Sequence, residues 1–168
     1  MEHRTLASDP HPDLHIRGGR AADVAEIARI EHASFLHAGE RFDDRRIRYL
    51  IDSPRVRVCV ADADKKIVGW IAGFAVTRSP QPWGRIYALA VDPAVRGRKI
   101  GPRLLSHMVE DLRRLGARQI FLEVRPDNHS AVKLYEKSGF VPCRRLENYY
   151  GHGHPALRMV LDQPGQIK

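Results

Sequence analysis

IYALAVDPAVRGRKIGPRLLSHMVEDLRRLGARQIFLEVRPDNHSAVKLYEKSGF, residues Ile86–Phe140, carries the reading of this chain. Val91-Asp92-Pro93 ends a strand, because proline has no amide hydrogen to give a ladder. A basic glycine loop follows, Arg96-Gly97-Arg98-Lys99-Ile100-Gly101. Apolar residues then recur at Ile100, Leu104, Leu105, Met108, Val109, Leu112 and Leu115, a helical spacing that Gly116 closes. Pro102 falls in the first helical turn, where its missing donor costs the helix nothing. A helix N-terminus offers unpaired amides and partial positive charge, so a basic loop leading into it suits a phosphate or pyrophosphate. Taken alone, the same residues also describe a solvated basic turn.

Downstream, Ile120 to Arg125 alternates as a strand, with Ile120, Leu122 and Val124 on one face and Phe121, Glu123 and Arg125 on the other. A carboxylate in such a strand is a surface group, an ion-pair partner near Arg125, or a base facing a cleft. Pro126-Asp127 turns the chain, and Asn128 is a fitting N-cap for a helix carrying Ala131, Leu134 and Tyr135. Gly139-Phe140 ends that helix. Tyr135 reads either as an anchor packed on the sheet or as a proton donor.

Around this unit the pattern predicts a strand at 14–17, a helix at about 21–34, and a second helix at about 43–51 after a loop containing Gly39. A hairpin of 56–61 and 66–77 turns near 62–65, and a strand runs from Trp83 to Val91. Two last strands cover about 141–148 and 154–161. Residues 1–13 and 163–168 read as tails, the first of them mobile, flanking one domain over 14–162. The chain has 168 residues and formal net charge +8, so an acidic partner is expected. Coenzyme A is one such partner and a nucleic-acid surface another, but the basic residues form no run and no nucleic-acid motif accompanies them. The two cysteines, Cys59 and Cys143, have neither metal-ligand spacing nor a disulfide framework, which suits a reducing, cytoplasmic setting. The polar N-terminus has no apolar signal core, and the longest apolar stretch, Ile67 to Val76, is too short to span a bilayer. His152 and His154 stand two apart in a glycine-rich turn with no third ligand at fitting spacing, so no metal is expected.

The ordered set Leu89-Ala90-Val91-Asp92-Pro93, Arg96, Gly101 and LEVRPDNHSAVKLYEKSGF resembles the GNAT superfamily of acetyl-CoA-dependent N-acetyltransferases. In pattern it is similar to the bacterial ribosomal-protein alanine N-acetyltransferases. The resemblance is strong over 86–140, and a family layout fits 14–162. It implies an α/β fold with a mixed, mostly antiparallel sheet, helices on both faces, and a cofactor cleft between splayed central strands. It also implies acetyl-CoA bound by Arg96, Gly97, Arg98, Lys99, Ile100, Gly101 and Arg103, by backbone near Leu89 and Val91, and by Asn128. Glu123 would be the base, and Tyr135 would assist the departing thiolate. Tyr149 and Tyr150 resemble the paired tyrosines of protein N-terminal acetyltransferases, and Phe35 and Phe42 would complete a peptide groove. Two features of the cofactor loop depart from the family: Lys99 stands where a loop glycine is usual, placing a Cβ near the pyrophosphate, and Pro102 removes an amide. Two more lie in the substrate loops: Gly151-His152-Gly153-His154-Pro155 replaces an acidic loop common in relatives, and the loop with Phe35 and Arg41-Phe42 lacks the Pro-Trp of the ribosomal-protein branch.

Amide formation needs an uncharged amine. Deprotonating a lysine amine of pKa ~10.4 at pH 7 costs about 4.6 kcal/mol, against about 1 kcal/mol for an α-amine near 7.8. A protein N-terminal α-amine is therefore the expected acceptor, with a ribosomal protein as one candidate. A small-molecule amine (polyamine or aminoglycoside) is the alternative, and a non-catalytic acyl-CoA-binding module is a third reading. The substrate loops are mostly basic or neutral apart from Glu40, Asp43 and Asp44. The chain would act as a monomer or homodimer.

Overall fold

The computed structural model describes residues 14–35 and 41–162. The expected tails at 1–13 and 163–168, and the loop residues Gly39 and Glu40, lie outside the described residues. In chain order the elements are β1 (Leu14–Gly18), α1 (Val24–Ser34), α2 (Asp44–Asp52), β2 (Arg57–Ala63), β3 (Lys66–Val76), β4 (Trp83–Val91), α3 (Ile100–Arg114), β5 (Gln119–Val124), α4 (His129–Lys137), β6 (Val141–Leu146) and β7 (Ala156–Asp162). The strands form a seven-stranded sheet in the order β1-β2-β3-β4-β5-β7-β6. Every neighbouring pair is antiparallel except β4 and β5. No described helix is long and apolar enough to cross a membrane.

Local chemistry explains most boundaries. The β2–β3 hairpin turns on Asp64 and Lys65, both at positive φ (50° and 65°), the geometry of a two-residue hairpin turn that follows strand twist. The Asp43 carboxylate accepts the Arg46 amide at 2.7 Å and starts α2, and Asn128 accepts the Ala131 amide at 3.2 Å and starts α4. The last two strands are shorter than their residue pattern suggests. Residues 147–150 are turn, so Tyr149 and Tyr150 sit on the hairpin's connection rather than on its ladder.

Two apolar layers cover the sheet. Leu104, Leu105, Met108 and Leu112 of α3, with Tyr135 of α4, pack with Ile71, Ile86, Ile120 and Leu122 on one face. Ile27 and Ile30 of α1 and Ile47 and Leu50 of α2 pack with Val60, Trp70, Ala88 and Ala90 on the other. A β-bulge lets β4 serve both. Ala72 pairs with Ala88 and Gly73 with Ile86, so Tyr87 is an extra residue and the side-chain alternation changes face across it. At Gly73 a Cβ would lie 3.1 Å from the Met108 sulfur and 2.9 Å from the Arg85 carbonyl oxygen, so α3 packs this closely only over glycine.

The parallel β4–β5 pair joins only Trp83 to Gln119, Gly84 to Ile120 and Arg85 to Phe121. Beyond Arg85 the strands part while both continue, β4 to Val91 and β5 to Val124. A gap therefore opens in the middle of the sheet toward the N-terminus of α3.

That N-terminus is reached through a left-handed residue. Lys99, the N-cap of α3, has φ 60° and ψ 16°. The backbone thus keeps the turn a glycine would make, at a cost of roughly 1–2 kcal/mol for an L-residue. Relaxing this position is expected to help the fold: Lys99→Gly should raise stability by up to about 1 kcal/mol, roughly 2–4 °C in Tm. Lys99→Val should lower it, because a branched Cβ fits this region worst. Thermal unfolding of the two variants in the absence of ligand checks both signs.

Candidate acetyl-transfer site

The loop before α3 is open to solvent from Arg96 to Lys99. Asp92 anchors its near end. Its carboxylate accepts the Ala94 amide at 3.0 Å and the Arg29 guanidinium at 2.8 Å, and these partners hold it below the usual carboxylate pKa. Gly97 follows at φ 82°. The Arg103 amide is already taken by the Lys99 carbonyl at 3.2 Å, and Pro102 has no amide. Ile100 and Gly101 therefore carry the first-turn amides that have no acceptor among the described residues. The Arg103 side chain reaches back to the Leu14 carbonyl at 3.0 Å. A Cβ at Gly101 would meet only Leu134 at 3.5 Å and Val91 at 3.8 Å, ordinary contacts. Nothing within the fold demands a glycine there, which fits a requirement imposed from outside by a ligand approaching the backbone.

Glu123 lies on the face of β5 opposite Leu122 and Val124, yet it is not an open carboxylate. Its side chain is only 3 % exposed. One oxygen accepts Arg85 of β4 and the other Arg158 of β7, each at 2.8 Å. Arg125, whose neighbourhood is one of the three readings of this carboxylate, pairs with Asp127. Register explains the clamp: Arg85 stands opposite Phe121 at the last β4–β5 pair, and Arg158 is the direct cross-strand partner of Glu123. Arg85 also donates to the Tyr149 hydroxyl, and the Tyr150 hydroxyl donates to the Glu123 carbonyl at 3.3 Å. The two tyrosine rings meet edge to face with centroids 4.9 Å apart. The structure thus brings Glu123, Tyr149 and Tyr150 together, with two arginines that the residue pattern does not single out.

Tyr135 is on the other face. It is buried, packs edge to face on Phe140, and desolvation pushes its pKa up to about 12. Tyr150, itself raised chiefly by burial, is within electrostatic reach of both Glu123 and Tyr135. Asn128 spends its side-chain oxygen on the Ala131 amide and the Ser130 hydroxyl. His152 and His154 are exposed in the Tyr149–Tyr150 turn and belong to no group of three metal-binding donors among the described residues.

Phe35 and Phe42 flank the α1–α2 connection. Phe42 packs edge to face on Trp70 and Tyr87 at 5.6 and 5.8 Å, continuing an aromatic series through Phe74 and Trp83 to Phe121. What holds Phe42 is a residue that helical periodicity hides. Glu31 of α1 is 1 % exposed, and its carboxylate accepts the Phe42 amide at 3.0 Å and the Trp70 indole N–H at 2.9 Å. A charged residue on the apolar face of α1 was the only signal available.

Burial outweighs these two hydrogen bonds and raises the Glu31 pKa from 4.5 to about 7. The folded chain therefore binds this proton more tightly than the unfolded chain. Stability tied to it is complete below pH 4.5 and is lost as pH rises through about 7. The loss between pH 5 and 8 is expected to reach at most about 3 kcal/mol. Glu31→Gln should flatten that dependence while costing about 1–3 kcal/mol at pH 5, because one N–H loses its acceptor. Urea unfolding of both proteins at the two pH values tests this.

Residues 24–140 match the sequence model of the Acetyltransferase (GNAT) family. A Bacillus subtilis (strain 168) protein assigned provisionally as a [ribosomal protein bS18]-alanine N-acetyltransferase is 31 % identical over 145 residues, covering 86 % of this chain and 92 % of its own. N-alpha-acetyltransferase 30 of Schizosaccharomyces pombe is 32 % identical over 115 residues, 68 % of this chain and 77 % of its own. Among solved structures, the ribosomal-protein-S18-alanine N-acetyltransferase of Escherichia coli superposes with TM-score 0.77 at 21 % identity, over 92 % of this chain and 99 % of that one. Arabidopsis thaliana NAA60 in complex with acetyl-CoA superposes with TM-score 0.80 at 17 % identity, over 90 % and 99 %. With an open sheet parted between β4 and β5, a basic loop at the N-terminus of α3, and these relatives, the chain belongs to the GNAT family and is an N-acetyltransferase.

Proposed function

We propose that this enzyme transfers the acetyl group of acetyl-CoA to a protein N-terminal α-amine, with Glu123 as base and Tyr135 assisting the departing thiolate. The observation that carries the proposal is the parting of β4 and β5 with Glu123 on one side of the sheet and Tyr135 on the other. The pyrophosphate would rest on the Ile100 and Gly101 amides, with Arg96, Arg98 and Lys99 supplying charge. The pantetheine arm would run along Leu89 to Val91 in place of the missing strand partner, with the Asn128 amide group within its path. The thioester then lies in the gap, and the amine approaches from the face that holds Arg85, Glu123 and the paired tyrosines.

In that arrangement the amine nitrogen attacks the thioester carbonyl, the C–S bond breaks, and the ammonium proton leaves to Glu123 directly or through one water. Two guanidiniums fix the carboxylate, and its remaining lone pairs are what the amine or water can use. Tyr135, near pKa 12, faces a thiol near 8.5, so full proton transfer is uphill by about 5 kcal/mol. A hydrogen bond to the developing thiolate, with the proton arriving late, is the easier role. Arg85 and Arg158 surround one carboxylate with two positive charges, which opposes a polyamine and favours a singly charged peptide terminus. Phe35, Phe42, Tyr149 and Tyr150 would line the peptide's path. A ribosomal protein is one candidate acceptor, given the names of the relatives.

Two experiments test this reading. Turnover against N-terminal peptides, lysine peptides and polyamines should favour the N-terminal peptides; faster turnover of every polyamine would overturn the acceptor assignment. Glu123→Gln should lower turnover at neutral pH and recover part of it at high pH, where the amine is already neutral, and an unchanged pH–rate profile would remove Glu123 from the role of base.

The cofactor site is tested separately through Gly101→Ala. The substitution should leave the ligand-free Tm unchanged or slightly higher, since alanine suits a helix better by about 1 kcal/mol. The same variant should lose much of the Tm rise that acetyl-CoA produces. A full rise would place the pyrophosphate elsewhere.

A further inference from the structure

Away from the β4–β5 gap, three different donor side chains converge on the flank of α3 that overlies β1 and β2. His107 and Asp111 lie one turn apart on α3, with Nε2 and Oδ2 3.7 Å from each other. Cys59 of β2 packs beneath them in the cluster that includes Leu104, Leu105 and Met108. One ligand atom from each of the three lies within 4.8 Å of the others. Around tetrahedral zinc, bonds of ~2.3 Å to sulfur and ~2.0–2.2 Å to nitrogen and oxygen set ligand atoms about 3.3–3.7 Å apart. The three ligand atoms would have to approach one another by about 1 Å to reach those separations.

The surroundings suit an ion. The other oxygen of Asp111, Oδ1, accepts Arg114 at 2.8 Å, which leaves Oδ2 turned toward His107. A ligating carboxylate is commonly oriented by such an outer partner. Gly18 is the cross-strand partner of Cys59, so the two positions share a face of the sheet. A Cβ at Gly18 would meet nothing within 4 Å, so the space beside Cys59 is open on the β1 side. His107 and Asp111 are part-exposed, 33 % and 20 % by side chain, while Cys59 is buried. An ion arriving from solvent therefore meets the imidazole and carboxylate first and the sulfur last.

We propose that Cys59, His107 and Asp111 bind a zinc-class divalent cation, with water in the fourth position, and that the ion clips α3 to β2. Binding forms a metal–sulfur bond and releases the thiol proton to solvent. A thiol and an imidazole select zinc over magnesium or calcium, which prefer all-oxygen sets. This site does not depend on the acetyl-transfer reading.

The test uses the full chain after removal of metal by chelation. Zinc should raise Tm and magnesium should not. Cobalt(II) should give a sulfur-to-metal charge-transfer band together with the intense visible bands of a four-coordinate ion. Cys59→Ser should abolish the sulfur band while Cys143→Ser keeps it. His107→Gln and Asp111→Asn, both on the part-exposed flank, should weaken zinc binding by more than the ~10–100-fold that loss of an outer partner costs. The proposal is overturned if zinc leaves Tm unchanged, if the cobalt spectrum lacks a sulfur band, or if His107→Gln and Asp111→Asn bind zinc as the wild type does.

Discussion

A strand that stops pairing while it continues must find other partners for its backbone, and this constraint organises the molecule. β4 is bonded to β3 along its length but to β5 at only three registers. From Ile86 onward the β5-facing edge of β4 lines a gap rather than a ladder. Buried amides and carbonyls left without partners are costly, so such an edge suits water or a ligand that brings its own donors and acceptors. The bulge at Tyr87 adds to this, because it turns Leu89 and Val91 toward α3 while Ala88 and Ala90 seal the opposite layer. Glycines beneath α3 bring the helix close, and its N-terminus meets the wide end of the gap.

Charge around the gap is divided by face. On the side of α3 the loop from Arg96 to Lys99 is basic and open to solvent, and the first-turn amides of Ile100 and Gly101 follow it. On the opposite side Arg85 and Arg158 hold one carboxylate, and the Tyr149–Tyr150 turn closes over it. The arginines are what make a buried Glu123 affordable, since an ion leaving water without partners loses several kcal/mol of solvation. Their positions follow from strand register, and a one-residue slip of β7 would carry Arg158 to the other face. The clamp and the fold are thus the same fact seen at two scales.

Glu31 does comparable work on the first helix with neutral partners. Its two oxygens join α1 to β3 through Trp70 and to the α1–α2 connection through Phe42. The aromatic series that runs from Phe42 to Phe121 crosses the sheet on the face that holds Glu123. The position of Phe42 therefore depends on a carboxylate whose burial penalty exceeds its hydrogen-bond gain.

Read by itself, the sequence determined what depends on neighbours within a turn or two. The apolar spacing from Ile100 to Leu112, the N-cap at Asn128 and the alternation of Ile120, Leu122 and Val124 are local effects, and each appears where its residues place it; the hairpin turn expected near 62–65 narrows to Asp64-Lys65, because β2 continues to Ala63. The order LAVDP, basic loop, LEVR and LY was enough to name the family. Only the tertiary structure decided that Glu123 is clamped by residues 38 and 35 positions away, that Lys99 takes a glycine's conformation without being one, that Glu31 is buried, and that Cys59 lies under His107 and Asp111. Those facts rest on strand register, on a bulge that changes face, and on how closely a helix can approach a sheet. None leaves a period or a spacing in the chain, because the partners meet across the fold rather than along it.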